Sequence, residues 1–407
     1  MGAQKLTNAP STNSLYSGTM LRVLTLSTLF PNAVQPTLGV FVERQTLGLA
    51  ALPEVELEVV SPIGLPRWPL SHHPHYAPRA ALPWQEEWKG LTVHRPRFPV
   101  VPVIGQQWTA RAMTRALLPL LREIRARFPF DVIDAEFFWP DGPAAMALAK
   151  SLGVSLSIKA RGADILFWGN RPSIGAQIVA AAQAADGLLA VSAALKADMV
   201  RLGMPADKIS VHYTGVDLDC FEPRDRASAK AALGIEGPLI ATVGALIERK
   251  GQRLAIEALA RLGDATLLLV GDGPDRKALQ RHAHRLGVAP RVRFLGARPH
   301  SEIAALMAAA DVLVAPSRSE GLANVWVEAM ACGTPVVASA VGGAAEAIGG
   351  AGGRLVGSDA EAIAGAVRAL LDAPPDQQQV RDAAHKFSWE KNSRTLFEHL
   401  SRAAARV

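Results

Sequence analysis

Cysteine is almost missing from this chain. Two occur in 407 residues, Cys220 and Cys332, with no CxxC pair or His-x-x-Cys neighbour. That argues against a disulfide framework or a thiolate zinc site and fits a reducing compartment. Long apolar runs are missing too. A membrane span needs about 18 apolar residues, and the nearest candidate, 174–195, is broken by Gln177, Gln183, Asp186 and Ser192. Residues 1–20 are polar, lack the apolar stretch of a secretory signal, and read as a flexible leader before the first strand. Clustered basic motifs are also absent. The net charge of +6 is dispersed, which argues against a nucleic-acid partner and is compatible with contact with an anionic membrane surface.

What is present is an alternation of apolar runs and helical periodicity. The apolar share of 49% and charged share of 20% are those of a folded soluble protein, and the length suits two cores. Short apolar runs at 21–27 (LRVLTLS), 55–61, 131–135, 154–159 and 187–191 read as buried parallel strands separated by helices. The helix at 109–128 carries Met113, Leu117, Leu121 and Ile124 on one side, with Pro119 inside it as a candidate kink. The same rhythm returns at 239–243, 265–270, 292–295, 312–315 and 335–338. Strands alternating with helices predict parallel sheets covered on both faces, an α/β fold of two Rossmann-like domains facing one cleft. The expected units are the leader 1–20, a domain over 21–213, a domain over 214–386, and a terminal helix in 387–407 packing back on the first domain. Residues 62–108, rich in Pro, Trp and His, read as an irregular insertion followed by a strand at 91–95.

The densest chemistry lies in SRSEGLANVWVEAMACGTPVVAS, 317–339. A strand ends before it, Glu320-Gly321 forms a turn, and a helix is expected over 322–332, stopped by Gly333 and Pro335. Seven residues separate Glu320 from Glu328, which sets one carboxylate just before the helix and the other about two turns into it. The amides of Gly321, Leu322 and Ala323, with Asn324 beside them, are first-turn donors at the positive end of the helix dipole, an anion site. Gly321 has no Cβ, so a ligand can approach the backbone closely. A diphosphate fits there, with Glu328 accepting from ribose hydroxyls and Glu320 from a sugar.

This segment resembles the retaining glycosyltransferases of family 4, whose fold is GT-B and whose pattern is a Glu-Gly run ending in a second Glu, then Ala-x-Ala-x-Gly-x-Pro-Val-Val. The resemblance implies that Glu320 contacts the donor sugar, Glu328 the ribose, and the intervening amides the donor. VGALIERKG, 243–251, is similar to the family loop that supplies cations to a departing diphosphate, and a positioned cation lowers that barrier. Lys250 takes that role. Ala245 stands where the family usually has Arg, and Arg249 is the candidate to compensate. PTLGVFVERQ, 36–45, is similar to the family's glycine loop; Gly39 either approaches the donor phosphates or simply turns the chain from strand to helix. LLVGDGP, 268–274, and VGGAAE, 341–346, are also family-like, the first read as a structural turn.

The first domain departs from the family pattern. Where many relatives carry histidines, this chain has DVIDAEFFWPDG, 131–142, and KARGAD, 159–164, stretches that resemble a subgroup including teichuronic-acid-type transferases. Glu136 or Asp164 is placed to orient an acceptor hydroxyl; a structural ion pair with Arg161 explains the same residues equally well. His72, His73 and His75 lie in a Pro-rich loop and read as surface rather than a metal site. Trp84, Trp88, Trp108 and Phe98 either cover the core, the favoured reading, or meet a lipid-linked acceptor.

The sequence thus predicts a cytoplasmic enzyme, a hexosyltransferase with a surface suited to the inner membrane face. It would use a UDP- or GDP-sugar rather than an ADP-sugar, a glycan or lipid-linked acceptor in cell-envelope polysaccharide synthesis, and no metal or other cofactor. Two other classes stay open: another GT-B enzyme, such as an epimerase or phosphorylase, and a non-catalytic nucleotide-sugar-binding relative.

Overall fold

The computed structural model describes residues 20–101 and 105–405. Most of the expected leader and residues 102–104 lie outside the described residues. In chain order the first half forms β1 (Leu21–Leu26), β2 (Val55–Val60), β3 (Ile63–Leu65), β4 (Gln85–Trp88), β5 (Leu91–His94), β6 (Arg97–Pro99), β7 (Val132–Ala135), β8 (Ser155–Ala160), β9 (Gly187–Ala190) and β10 (Ile209–Val211). Eight of these make one sheet in the order β10-β9-β8-β7-β1-β2-β5-β4. Its pairings are parallel except for β4 against β5. The second half forms β11 (Leu239–Val243), β12 (Thr266–Val270), β13 (Val292–Gly296), β14 (Val312–Ala315), β15 (Val336–Ser339) and β16 (Gly353–Val356), ordered β13-β12-β11-β14-β15-β16. These pairings are parallel. The fold is therefore two Rossmann-like α/β domains.

Parallel strands covered on both faces are buried along their length and mostly apolar. β7, β8, β9, β14 and β15 are accordingly buried along their whole length. The helices Thr109–Arg127 and Asp141–Leu152 lie side by side on the first sheet, and Gln252–Leu259 and Ala360–Asp372 on the second. Pro119 sits within Thr109–Arg127, which runs past it.

The described part of 62–108 is more ordered than its composition suggests. β3 pairs with β6, and β4 with β5 through a turn at Lys89 and Gly90, both with positive φ, so the segment extends the sheet edge. The aromatic residues there divide. Phe98 is buried, and Trp88 is half-buried, its Nε1 donating to Glu43. Trp84 and Trp108 are 67% and 57% exposed, so the core-covering reading fails for these two. The Arg97 guanidinium lies over the Trp84 ring, 4.7 Å from its centroid.

The chain crosses between the sheets twice, and the two crossings touch. Val216 N–H donates to the Phe387 carbonyl at 2.7 Å, and a Cβ on Gly215 would meet the Trp389 ring at 2.3 Å. The helix Trp389–Ala404 then lies against the helix Val40–Ala50 and strands β7, β8 and β9. Its buried His399 meets Ser157 Oγ of β8 at 3.1 Å.

Candidate active site

In open α/β sheets ligands gather beyond the carboxyl ends of strands, at the point where strand order reverses. β1 lies between β2 and β7, and β11 between β12 and β14, so each sheet has such a point. The loops leaving β8, β9, β11 and β14 supply Arg161, Val191, Gly244 with Lys250, and Glu320. With Phe41, Thr214 and Leu322 to Val325 these residues line one cavity of about 280 Å³ that has walls from both domains.

On the C-terminal side, β11 ends in Gly244 at φ 145, then a short turn over Glu248–Lys250 leads to Gly251 at φ 71. A Cβ on Gly251 would lie 2.1 Å from the Pro316 carbonyl, so only glycine lets this turn pack against the β14 loop. The packing brings Lys250 Nζ to 2.6 Å from Glu320 Oε1, both side chains largely buried. Arg249 is 3.4 Å from the same oxygen, but it is 48% exposed and donates to the Ser319 carbonyl at 2.6 Å.

The helix after Glu320 spans Asn324–Ala331, two residues later than its sequence suggests. The cause is a knot of tertiary contacts. The Gly321 carbonyl accepts from Gly343 N–H at 2.8 Å and Ser192 Oγ at 3.1 Å, and Ala323 stays extended at ψ 119. The donors of the first helical turn therefore belong to Asn324 and Val325, preceded by Leu322 and Ala323, and all four line the cavity. Ala323 offers no side-chain cap to compete with a ligand for them. Gly321 itself lies behind this wall, where a Cβ would meet the Arg161 carbonyl at 2.8 Å.

Glu328 projects from the second turn, its side chain 16% exposed, with His300 Nε2 at 3.4 Å from its carboxylate. Burial pushes its carboxyl up to about 7, against a weaker pull downward from Arg44. Burial likewise lowers the His300 imidazole. Arg44, 3.7 Å from Asp217, and His300 are neighbours of Glu328 that sequence reasoning missed. They lie 284 and 28 residues away, with no motif to connect them.

On the N-terminal side, Arg161 reaches the cavity while Glu136 does not. Glu136 is fully buried, bonded by Arg161 Nη2 and Gln45 Nε2. Lys159 Nζ donates to Gln45 Oε1 at 2.5 Å and approaches His212 Nδ1 at 2.7 Å. His212 Nε2 in turn faces the Asn392 carbonyl at 2.9 Å, so the neutral ring donates there and accepts from Lys159. Burial drives Lys159 well down and Asp134 well up, while Arg161, opposing the effect of burial, keeps Glu136 low. Asp164 folds back on the chain, accepting from the amides of Arg161, Gly162 and Phe138. For Glu136 the ion pair with Arg161 is the arrangement observed, and Asp164 is held by backbone amides instead.

Gly39 is buried at φ 65 at the start of the helix Val40–Ala50, with the Leu29 carbonyl 2.2 Å from where a Cβ would sit. It does not line the 280 Å³ cavity; Phe41, two residues on, does. His72, His73 and His75 bond locally to Ser71 and to one another in an exposed loop. Among the described residues no cluster of three His, Cys, Asp or Glu is arranged to hold a metal. No helix of the described residues is long and apolar enough to cross a membrane.

Comparison with known proteins fits this geometry. Residues 54–220 match the model of Glycosyltransferase Family 4, and residues 224–387 that of Glycosyl transferases group 1. The chain is 38% identical over 218 residues to D-inositol 3-phosphate glycosyltransferase of Mycobacterium tuberculosis, a match covering 49% of this chain and 45% of that protein. It therefore spans about half the length of the curated relatives it matches. Among solved structures it is similar to sucrose-phosphate synthase of Thermosynechococcus elongatus, with TM-score 0.79 and 22% identity over 95% of this chain and 100% of that one. It is also similar to the Anabaena protein HepE in complex with UDP, with TM-score 0.71 and 20% identity over 94% and 100%. The chain therefore carries a Glycosyltransferase Family 4 domain followed by a Glycosyl transferases group 1 domain, on a fold shared with these solved structures.

Proposed function

We propose that this protein transfers a sugar, with retention of configuration, from a nucleoside-diphosphate sugar to a glycan or lipid-linked acceptor. The observation that carries the reading is the Lys250–Glu320 pair at the open N-terminus of the helix Asn324–Ala331, inside a cavity between two Rossmann-like domains. The diphosphate takes the place opposite Lys250 and the Leu322-to-Val325 amides, which frees Glu320 to accept from the sugar hydroxyls. Glu328 accepts from the ribose. Lys250 and the helix amides stabilise the negative charge that grows on the leaving diphosphate.

Glu136 is sealed from the cavity, so it is not the base. In a front-face reaction the bond from the anomeric carbon to phosphate breaks as the acceptor oxygen bonds to that carbon. The acceptor's proton passes to the departing phosphate oxygen, and the chain needs no strong base of its own. A UDP- or GDP-sugar is the proposed donor; a relative in fold binds UDP. A site at the cytoplasmic membrane face and a role in cell-envelope polysaccharide synthesis are the finer parts of the proposal. They rest on the likeness of 131–142 and 159–164 to teichuronic-acid-type transferases and on the exposed Trp68, Trp84 and Trp108.

A melting-temperature screen against UDP-, GDP- and ADP-sugars tests the reading, since a ligand bound only by the folded form raises the transition. Stabilisation by a UDP- or GDP-sugar, reduced in Lys250→Ala, is expected. No shift with any nucleotide sugar would end it. Incubation with donor alone and product analysis separates a transferase from an epimerase.

A further inference from the structure

Two cationic side chains line the cavity, and they come from opposite domains: Lys250 and Arg161. Arg161 is held as a fixed part of the wall. Its Nε donates to the Glu136 carbonyl at 3.3 Å, and its Nη2 to the Glu136 carboxylate and to Gln45 Oε1, the latter at 3.3 Å. Its guanidinium lies 4.9 Å over the Phe41 ring. The side chain is 5% exposed, yet among the described residues Nη1 has no hydrogen-bond partner. A buried guanidinium N–H without an acceptor is costly, and such groups are nearly always satisfied in native proteins. Nη1 is itself buried here, so an acceptor reaches it only where the wall of the cavity that Arg161 lines, with Lys250 and Leu322 to Val325, gives way as a ligand enters.

The facing wall restricts what that acceptor can be. Glu320 already holds Lys250, and Arg249 is turned to the Ser319 carbonyl. An anion that enters beside Lys250 and the Asn324 amide lies between the two domains, and a diphosphate has oxygens enough for both sides. Guanidinium suits it, because a planar fork already anchored through Nε and Nη2 offers Nη1 with little further loss of freedom. The buried Glu136 balances the Arg161 charge, so Arg161 acts as a directional donor and not as a source of net positive potential.

On the reading that the donor is a nucleoside-diphosphate sugar, we infer that Arg161 of the first domain donates from Nη1 to the donor's diphosphate. It thereby forms, with Lys250 of the second domain, a clamp across the cleft. Binding of the donor then couples closure of the two domains to positioning of the leaving group.

The test is calorimetric titration of UDP, GDP and ADP, and of the corresponding monophosphates, into three proteins. These are the wild type, Arg161→Lys, which keeps a cation for Glu136 but lacks the fork, and Arg161→Gln/Glu136→Gln, which removes the pair without stranding a buried charge. The diphosphate that binds wild type is expected to bind both variants about ten- to a hundredfold more weakly, the worth of a charge-assisted hydrogen bond. The monophosphate is expected to change less than about threefold. Unchanged diphosphate affinity in Arg161→Lys overturns the inference and leaves the proposed function standing, as does an equal loss for mono- and diphosphate. Failure of all three diphosphates to bind wild type overturns both.

Discussion

If Glu328 holds the donor ribose as proposed, its carboxyl makes donor binding depend on pH. Burial raises it to about 7, from 4.5 in an exposed glutamate. His300, the nearest titratable side chain, is pushed the other way and stays uncharged near neutrality, so it does not neutralise the carboxylate. Ribose hydroxyls donate, and the ionised carboxylate is the better acceptor for two of them. If only the ionised form binds ribose fully, about 1% of the protein is competent at about pH 5 and about 90% at about pH 8. The dissociation constant should therefore fall by about a hundredfold across that range, close to 2.7 kcal/mol. A nucleotide sugar is the proper probe, because both its phosphates are esterified. A free nucleoside diphosphate carries a terminal phosphate that titrates near 6 and would mask the effect.

Calorimetry at several pH values, in buffers of different ionisation enthalpy, should show proton release on binding that is greatest below about pH 7. Glu328→Gln should bind weakly and without slope. A flat profile in the wild type, or the same slope in the variant, would refute the role given to Glu328. Stability carries the opposite signature. The folded protein holds this proton more tightly than the unfolded chain, so the contribution of Glu328 is greatest below about pH 4.5 and is lost as pH rises to about 7. The loss amounts to at most about 3 kcal/mol, since the side chain keeps 16% exposure. Denaturant titrations should show it as a wild-type-minus-variant difference of that sign.

Three further substitutions probe the frame around the site. Lys250→Ala removes a charged donor and should weaken nucleotide-sugar binding by about ten- to a hundredfold, read by calorimetry; an unchanged constant would remove Lys250 from the site. Gly321→Ala places a methyl 2.8 Å from the Arg161 carbonyl and 3.2 Å from Gly162 Cα, both backbone atoms with little room to move. It should cost about 1–3 kcal/mol, lower the melting temperature, and reduce turnover more than Arg318→Ala on the exposed side of the same loop. Glu346 of the second domain accepts from the Ala193 and Ala194 amides, at 2.7 and 2.9 Å, at the start of the helix Ala193–Arg201 in the first domain. Glu346→Ala should lose about 1 kcal/mol of cap and make the domains easier to separate, visible as a larger radius of gyration in small-angle scattering.

What could be read from the sequence, and what could not, divides by the range of the interactions responsible. β11 and β14 were legible because a strand buried on both faces is a nearly continuous apolar run, and 239–243 and 312–315 are, with Thr242 the one polar residue. The relation of Glu320 to Glu328 was legible because helical rise fixes it within nine residues. The start of the intervening helix was not. It is set by Gly343 and Ser192 gripping the Gly321 carbonyl, and these residues lie 22 and 129 positions away. The same limit explains the first domain. Glu136 and Arg161 follow adjacent strands β7 and β8, so their neighbourhood could be anticipated, and the choice between an acceptor-orienting carboxylate and an ion pair turned on depth. Depth comes from Gln45, which bonds Glu136, and from Lys159, which holds Gln45 and meets His212, while Arg161 is the member of this cluster that lines the cleft. VGGAAE, whose function the sequence left open, has its explanation in contacts too: Gly343 holds the Gly321 turn while Glu346 holds the opposite domain. One short loop thus ties the helix proposed to hold the diphosphate to the interdomain contact, and a change of domain angle must be felt at the helix amides.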